Sequence, residues 1–336
     1  MRTLFIGGTG VISSACVAEA VRAGHEVTIV NRGTSQMRPV PDAVEVVHAD
    51  IRNTDDVRAA LGRRSFDVAA EFLAFTPDHI RSDLDLFEGH VGQYVFISSA
   101  SAYQTPPSRM PVTESTPLRN PFWQYSRDKI DCEDLLVAAY RERGFPATIV
   151  RPSHTYDRTM IPTIGHWTDL DRMRRGAPVI VHGDGTSLWT ITHNTDFAVA
   201  FVGLMGRPEA IGEAFHITSG EALTWNQIYG YLAEHLGVEA ELVHVSSASI
   251  AAAVPRLGPG LIGDKAHTMI FDNAKVSSLV PQFRATVPFA RGAGEIVEWH
   301  LADPARQRVD PELDAAFDRL AAHARAFGAL SLGTGG

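Results

Sequence analysis

At 336 residues the chain has length for one large domain and a smaller one, with the 45% hydrophobic and 21% charged content of an ordinary soluble globular enzyme. A net charge of −9 and the lack of any basic run exclude an electrostatic footprint for nucleic acid or an acidic membrane surface. Two cysteines, Cys16 and Cys132, each inside a helix-like stretch, exclude a disulfide framework and read as buried free thiols.

The first strand is expected at Arg2–Ile6, which leaves no room for a signal peptide. No apolar run reaches membrane-spanning length, so the chain reads as cytoplasmic with no membrane partner. Gly7-Gly8-Thr9-Gly10 follows, then an amphipathic segment from Val11 to Ala23: strand, glycine turn, helix. Gly7 and Gly10 let the backbone pass close to a pyrophosphate, and the unpaired amides at the helix start, Val11 and Ile12, favour its charge.

Gly24 ends that helix and Glu26–Val30 reads as the second strand, with Asn31-Arg32-Gly33 after it. Neither Asn31 nor Arg32 is the acid that usually holds an NAD ribose, and an arginine can accept a 2′-phosphate, so NAD and NADP both stay open. A third strand, Val44–Ala49, ends at Asp50-Ile51, where the Asp50 carboxylate can accept a hydrogen bond from an adenine amino group. The fourth, Phe66–Ala74, carries Phe72, Leu73 and Ala74 beneath the cofactor. With helices near 53–61 and 77–89 between them, these strands form a parallel sheet covered on both faces, an α/β fold of the Rossmann-type, doubly wound kind.

The fifth strand, Gln93–Ile97, runs into Ser98-Ser99-Ala100-Ser101-Ala102-Tyr103, which sets the Ser99, Ser101 and Tyr103 hydroxyls at the carboxyl end of a central strand, where such folds bind ligands. Five prolines between residues 104 and 121 suit an extended covering loop. Next comes Tyr125-Ser126-Arg127-Asp128-Lys129. A phenol and an ammonium four residues apart on a helix share one face. Lysine charge, helped by a cationic nicotinamide, favours the phenolate, and such a tyrosine can strip a proton from an alcohol while hydride leaves the same carbon.

Beyond residue 154 the pattern loosens. Val179–Val181, Phe215–Ile217 and Leu242–Val245 read as strands, Asn194–Leu204, Thr224–Leu236 and Glu312–Phe327 as helices, and Asp272-Asn273 as the cap of a late helix. The tail, residues 331–336, is expected to be flexible. The fourteen histidines show no metal-ligand spacing, so no metal is expected.

GGTGVIS at 7–13, Asp50-Ile51-Arg52, FISSASAY at 96–103, YSRDK at 125–129, RPS at 151–153 and HGDGTSLWTITHNTD at 182–196 together resemble the extended short-chain dehydrogenases/reductases, the NAD-dependent epimerase/dehydratase group. Within that group the chain is similar to bacterial members related to plant chloroplast stem-loop-binding proteins. The resemblance implies a catalytic Tyr125, with Lys129 fixing the ribose and polarising the phenol. It further implies Ser99 on the reacting oxygen, Ser101 as a second active-site group, and Pro152 and Ser153 beside a tightly bound NAD or NADP. It also implies an NAD(P)-binding Rossmann domain over 1–153, with segments around 179–217 returning to the sheet, and a mainly substrate-binding domain over 154–330. A homodimer through residues 79–89 and 126–140 follows by the same analogy.

Three residues depart from the family pattern. Ser13 replaces the third glycine of the turn, which predicts slightly looser helix–strand packing. His154 replaces the asparagine that helps bind substrate phosphate, and Trp189 replaces the arginine that clamps a diphosphate. An indole cannot reproduce a bidentate arginine–phosphate pair. Trp189 is left to stack on a sugar or nucleobase, or to lie in the core, and His154 to make one hydrogen bond to substrate or to backbone. The expected reaction is transient oxidation of a hydroxyl on a carbohydrate or nucleoside-type small molecule, followed by epimerisation or elimination. The alternatives are an NADPH-dependent ketone reductase and a non-catalytic RNA-binding protein.

Overall fold

A computed structural model describes residues 1–34 and 37–332. The strands in chain order are β1 (Arg2–Ile6), β2 (Glu26–Asn31), β3 (Glu45–His48), β4 (Phe66–Glu71), β5 (Val91–Ile97), β6 (Ala147–Pro152), β7 (His154–Tyr156), β8 (Val179–His182), β9 (Leu188–Trp189), β10 (Ile191–His193), β11 (Ala214–Ile217), β12 (Leu223–Thr224) and β13 (Leu242–Val245). The first seven α-helices in chain order are α1 (Val11–Arg22), α2 (Thr54–Leu61), α3 (Pro77–Phe87), α4 (Gln124–Arg143), α5 (Trp167–Arg174), α6 (Asn194–Leu204) and α7 (Trp225–Leu236).

Seven strands form the central sheet in the order β11-β6-β5-β4-β1-β2-β3, all parallel. The period-two alternation of each strand feeds two cores. Phe5, Val95 and Ile97 face Val17, Phe197 and Phe201 of α1 and α6. Leu4, Ile6, Tyr94 and Phe96 face Ile80, Cys132 and Leu136 of α3 and α4. Chain order reverses between β4 and β1, which opens a crevice at their carboxyl ends.

The segment 179–217 returns to this sheet only at β11. Val179–His182, expected to rejoin it, pairs instead with β13, because both of its faces are claimed elsewhere. Val179 and Val181 pack with Trp225 and Tyr229, and Ile180 packs with Ile250 and Phe317. The last helix spans Pro311–Leu332, so the first two residues of the expected tail are helical; residues 333–336 lie outside the described residues. Both cysteines are free and buried. No described helix is long and apolar enough to cross a membrane, and no cluster of metal-ligating side chains occurs among the described residues.

Candidate active site

The glycine turn bends because Gly7 and Gly8 adopt φ of 114° and 83°, a region that only glycine enters freely. A Cβ on Gly8 would meet Ile29 at 2.9 Å, so the turn also presses directly on β2. Gly10 caps α1, and its N–H donates to Ser13 Oγ at 2.9 Å. Ser13, the residue in place of a third glycine, thereby ties down the turn and is itself buried.

Above this turn lies a cleft of about 850 Å³ along the carboxyl ends of the strands. Gly7, Gly10, Val11, Ile12, Asn31, Arg32, Asp50, Ile51, Phe72, Leu73, Tyr125, Lys129, Pro152, Ser153 and Ser99 all line it. Of the residues expected around the dinucleotide, only Ala74 does not. Its side chain is buried, and its carbonyl accepts a hydrogen bond from Lys129 at 2.7 Å.

Arg38, absent from the sequence pattern, and Arg52, present there only as the end of Asp50-Ile51-Arg52, also line the cleft. Arg38 donates to Asp157 at 2.6 Å and to the Thr9 carbonyl at 3.3 Å. Arg52 donates to the Leu73 carbonyl at 2.8 Å. Arg38 and Asp157 stand 119 residues apart, and no local signal joins them. With exposed Arg32, three guanidinium groups border the cleft, and its volume and glycine turn suit a phosphorylated dinucleotide.

Tyr125 occupies the first turn of α4 and Lys129 the second. The Lys129 ammonium, 1% exposed, donates to the carbonyls of Ala74 and Ile97, both at 2.7 Å, and sits 5.8 Å from the Tyr125 ring centroid. Burial pulls its pKa down to about 8. The Tyr125 phenol is raised from its ordinary value, mainly by burial; hydrogen bonding with Ser99 works the other way, and the Asp264 charge adds to the rise. Lys129 donates to two backbone carbonyls here, and among the causes acting on the phenol burial comes first.

Ser101 lies behind Ser99, buried, with its hydroxyl 2.9 Å from Ser99 Oγ and accepting from Ser126 Oγ at 2.8 Å. Tyr103, expected to touch substrate, is fully buried. Its hydroxyl accepts from Arg151 at 3.1 Å and pairs with His216 Nδ1 at 3.0 Å, which leaves none of it for a ligand. Arg151 forms a buried ion pair with Glu133 at 2.5 Å, and Glu133 also accepts from Ser98 Oγ at 2.5 Å. This network joins β5, α4 and β6 directly beneath the site.

Trp189 does not line the cleft. It is 3% exposed and stacks on Trp225 with centroids 5.8 Å apart, which makes it a core aromatic rather than a ligand platform. His154 lies at the start of β7, with Nε2 buried and without a hydrogen-bond partner; burial drives its pKa down to about 3 and keeps it neutral.

Residues 3–218 match the NAD dependent epimerase/dehydratase family. Similar proteins include the 2′-dehydrokanamycin reductase of Streptomyces kanamyceticus, 26% identical over 70% of this chain and 67% of that protein. Another is the chloroplast stem-loop binding protein of 41 kDa b of Arabidopsis thaliana, 25% identical over 72% of this chain and 65% of that protein. The chain thus spans about two thirds of the length of each. Among solved structures, an epimerase from Methanothermobacter thermautotrophicus superposes with a TM-score of 0.75 at 18% identity, covering 90% of this chain and 93% of that one. The dTDP-glucose 4,6-dehydratase of Bacillus anthracis, solved with NAD, gives 0.73 at 19% identity, covering 91% and 98%. The matched residues contain the glycine turn, Ser99, Tyr125 and Lys129, and the chain is an enzyme of the extended short-chain dehydrogenase/reductase type that belongs to the NAD-dependent epimerase/dehydratase family.

Proposed function

We propose that the protein oxidises a hydroxyl of a carbohydrate or nucleoside-type substrate reversibly and uses the resulting ketone for epimerisation or dehydration. The observation that carries this reading is that Ser99, Tyr125 and Lys129 line one cleft with the glycine turn. When bound, a nicotinamide cofactor supplies the hydride acceptor and donor. Gly7, Gly10 and the amides of Val11 and Ile12 hold its pyrophosphate, and Lys129 its ribose. Tyr125 takes the substrate hydroxyl proton while the Ser99 hydroxyl orients the same oxygen, with Ser101 and Ser126 fixing Ser99 from behind.

A standard UDP-sugar is disfavoured, because the indole at position 189 lies in the core and no guanidinium stands in its place. Residues 1–153 with β11 form the cofactor half, and 154–330 the substrate half. The same reading puts the protein in the cytoplasm as a homodimer with tightly retained NAD or NADP. Mass spectrometry of the purified protein tests it: retained NAD+ or NADP+ is expected, and a chain that binds neither overturns the reading.

A second reading, an NADPH-dependent ketone reductase, is favoured by Arg32, Arg38 and Arg52 around the cleft. Consumption of added NADPH with a ketone substrate, and no retained oxidised cofactor, would select it. The RNA-binding alternative is weakened by the charge of −9. RNA binding undiminished in Tyr125→Phe would support it.

A further inference from the structure

From the segment between β2 and β3, one side chain crosses to the other half of the molecule. Arg38 Nε donates to Asp157 Oδ2 at 2.6 Å, just beyond β7, and its Nη2 donates to Oδ1 of the same carboxylate at 3.3 Å. Nη2 also donates to Thr159 Oγ1. Such a two-pronged grip fixes the plane of a guanidinium as well as its position. Asp157 is itself fixed, because its Oδ1 accepts from the Thr159 N–H at 2.8 Å and from the Thr159 hydroxyl at 2.6 Å. The arginine and aspartate side chains are 14% and 11% exposed, which sets this pair apart from surface ion pairs, whose contribution is small.

The fork is aimed at the glycine turn. Arg38 Nη1 donates to the Thr9 carbonyl at 3.3 Å, one residue before the Gly10 that caps α1, and Arg38 lines the same cavity as Gly7, Gly10, Val11 and Ile12. A guanidinium carries five N–H groups, one on Nε and two on each terminal nitrogen. The four bonds to Asp157, Thr159 and Thr9 occupy four of them. Among the described residues the fifth meets no acceptor, and it belongs to Nη1, the nitrogen at the turn. A cation held this rigidly, with its spare donor beside the start of α1, is complementary to an oxyanion bound there. Met160, three residues beyond Asp157, lines the same cavity, so the substrate half meets the cleft where it holds the arginine.

Resting on the reading above, in which this cavity takes a nicotinamide dinucleotide, we infer that Arg38 is a pyrophosphate-binding residue aimed from the substrate half, with Asp157 and Thr159 as its positioning residues. The glycine turn offers the anion backbone N–H groups, and Arg38 adds a charged donor that the turn lacks. It serves the part of the cofactor that NAD and NADP share. Retention of the dinucleotide thereby depends on a contact between the two halves, since Arg38 keeps its aim only while Asp157 holds it. Loosening the Asp157 grip weakens the hold on the phosphates without touching any residue of the turn.

The test uses the full chain loaded with NADH, with ADP, 2′-AMP and adenosine as displacing probes and nicotinamide fluorescence as the readout. In Arg38→Met the affinity for ADP is expected to fall about 10-fold, as for loss of one charge-assisted hydrogen bond, while adenosine keeps its wild-type affinity. Asp157→Asn is expected to reproduce part of that loss on its own and to add nothing in the Arg38→Met background, because it acts only through the arginine. Arg38→Lys keeps the charge and gives up the fork. It serves where Arg38→Met does not fold, with ADP weakened about 3-fold or more and adenosine unmoved. Equal losses for ADP and adenosine make Arg38 a structural tie and overturn the inference. A loss confined to 2′-AMP overturns it too, by placing the guanidinium at a 2′-phosphate. A chain that binds no NADH overturns the underlying function instead.

Discussion

The Lys129 ammonium donates to the Ala74 carbonyl at 2.7 Å, tying α4 to the chain just beyond β4. An equal bond to Ile97 joins it to the end of β5, so one side chain braces the floor of the cleft. Replacing Lys129 by Met leaves two buried carbonyls without a donor. The expected loss is about 1–3 kcal/mol in urea unfolding, with retention of cofactor lost as well. Unchanged stability would show that water replaces the ammonium.

Tyr125→Phe removes one hydroxyl and leaves the ring packed against Trp123, with centroids 4.9 Å apart. Turnover is expected to fall about 100-fold or more while cofactor content and thermal midpoint stay near wild type. Steady-state rates with cofactor absorbance check this, and full turnover in the variant would remove Tyr125 from the chemistry.

Glu133 and Arg151 form their ion pair almost wholly out of solvent. Glu133→Gln strands the guanidinium, at an expected cost of about 3–5 kcal/mol, whereas replacing both residues by Leu and Met recovers much of it. Denaturant unfolding of the single and double variants separates pairing from mere burial.

Asp83 is fully buried, its Oδ2 accepting from the Tyr94 hydroxyl at 2.7 Å. Burial raises its pKa to about 6 and raises its neighbour Glu71 well above the usual range. In the unfolded chain an aspartate titrates near about 3.9. Between these values the folded chain binds more protons than the unfolded one, so stability falls as pH rises through the window. Asp83→Asn, which still accepts from Tyr94, is expected to flatten that slope in urea midpoints measured from pH ~4 to ~7. An unchanged slope would mean that Asp83 is already ionised.

Arg32 is exposed at the lip of the cleft, beyond β2. Arg32→Asp is expected to shift the ratio of NADP to NAD affinity toward NAD by about 10-fold or more, since it exchanges a phosphate partner for a ribose acceptor. Cofactor titration by fluorescence reads the change. A ratio that does not move assigns cofactor choice to Arg38 and Arg52.

The sheet was legible because its parallel strands are buried on both faces and so read as short continuous apolar runs, the first of them ending at its own glycine turn. Thr224, read as the start of a helix, is the N-cap of α7, and Asn194–Leu204 is helical over its full predicted span. The Tyr125 helix and the glycine turn were legible for the same local reason. What escaped depends on contacts distant in sequence. Tyr103 looked like a ligand hydroxyl until Arg151 and His216 claimed it, and Trp189 looked available until Trp225 covered it. Val179–His182 carries a correct strand signal, but which neighbour it pairs with is decided by side chains distant in sequence, from Trp225 to Phe317. The 261–265 turn gave no signal at all, since Leu-Ile-Gly-Asp-Lys reads as a polar turn and its place against the start of α4 comes from Asn120, 143 residues before Gly263.

That one amide has a consequence for how the molecule tolerates change. By gripping Gly263 and Ser101 at once, Asn120 ties the 261–265 turn to the segment after β5 that carries Ser99 and Ser101 through a single amide. Replacing the 261–265 turn without losing its seat is therefore a matter of preserving one backbone carbonyl for that amide and keeping glycine where a Cβ would come within 3.0 Å of Trp123 Cβ.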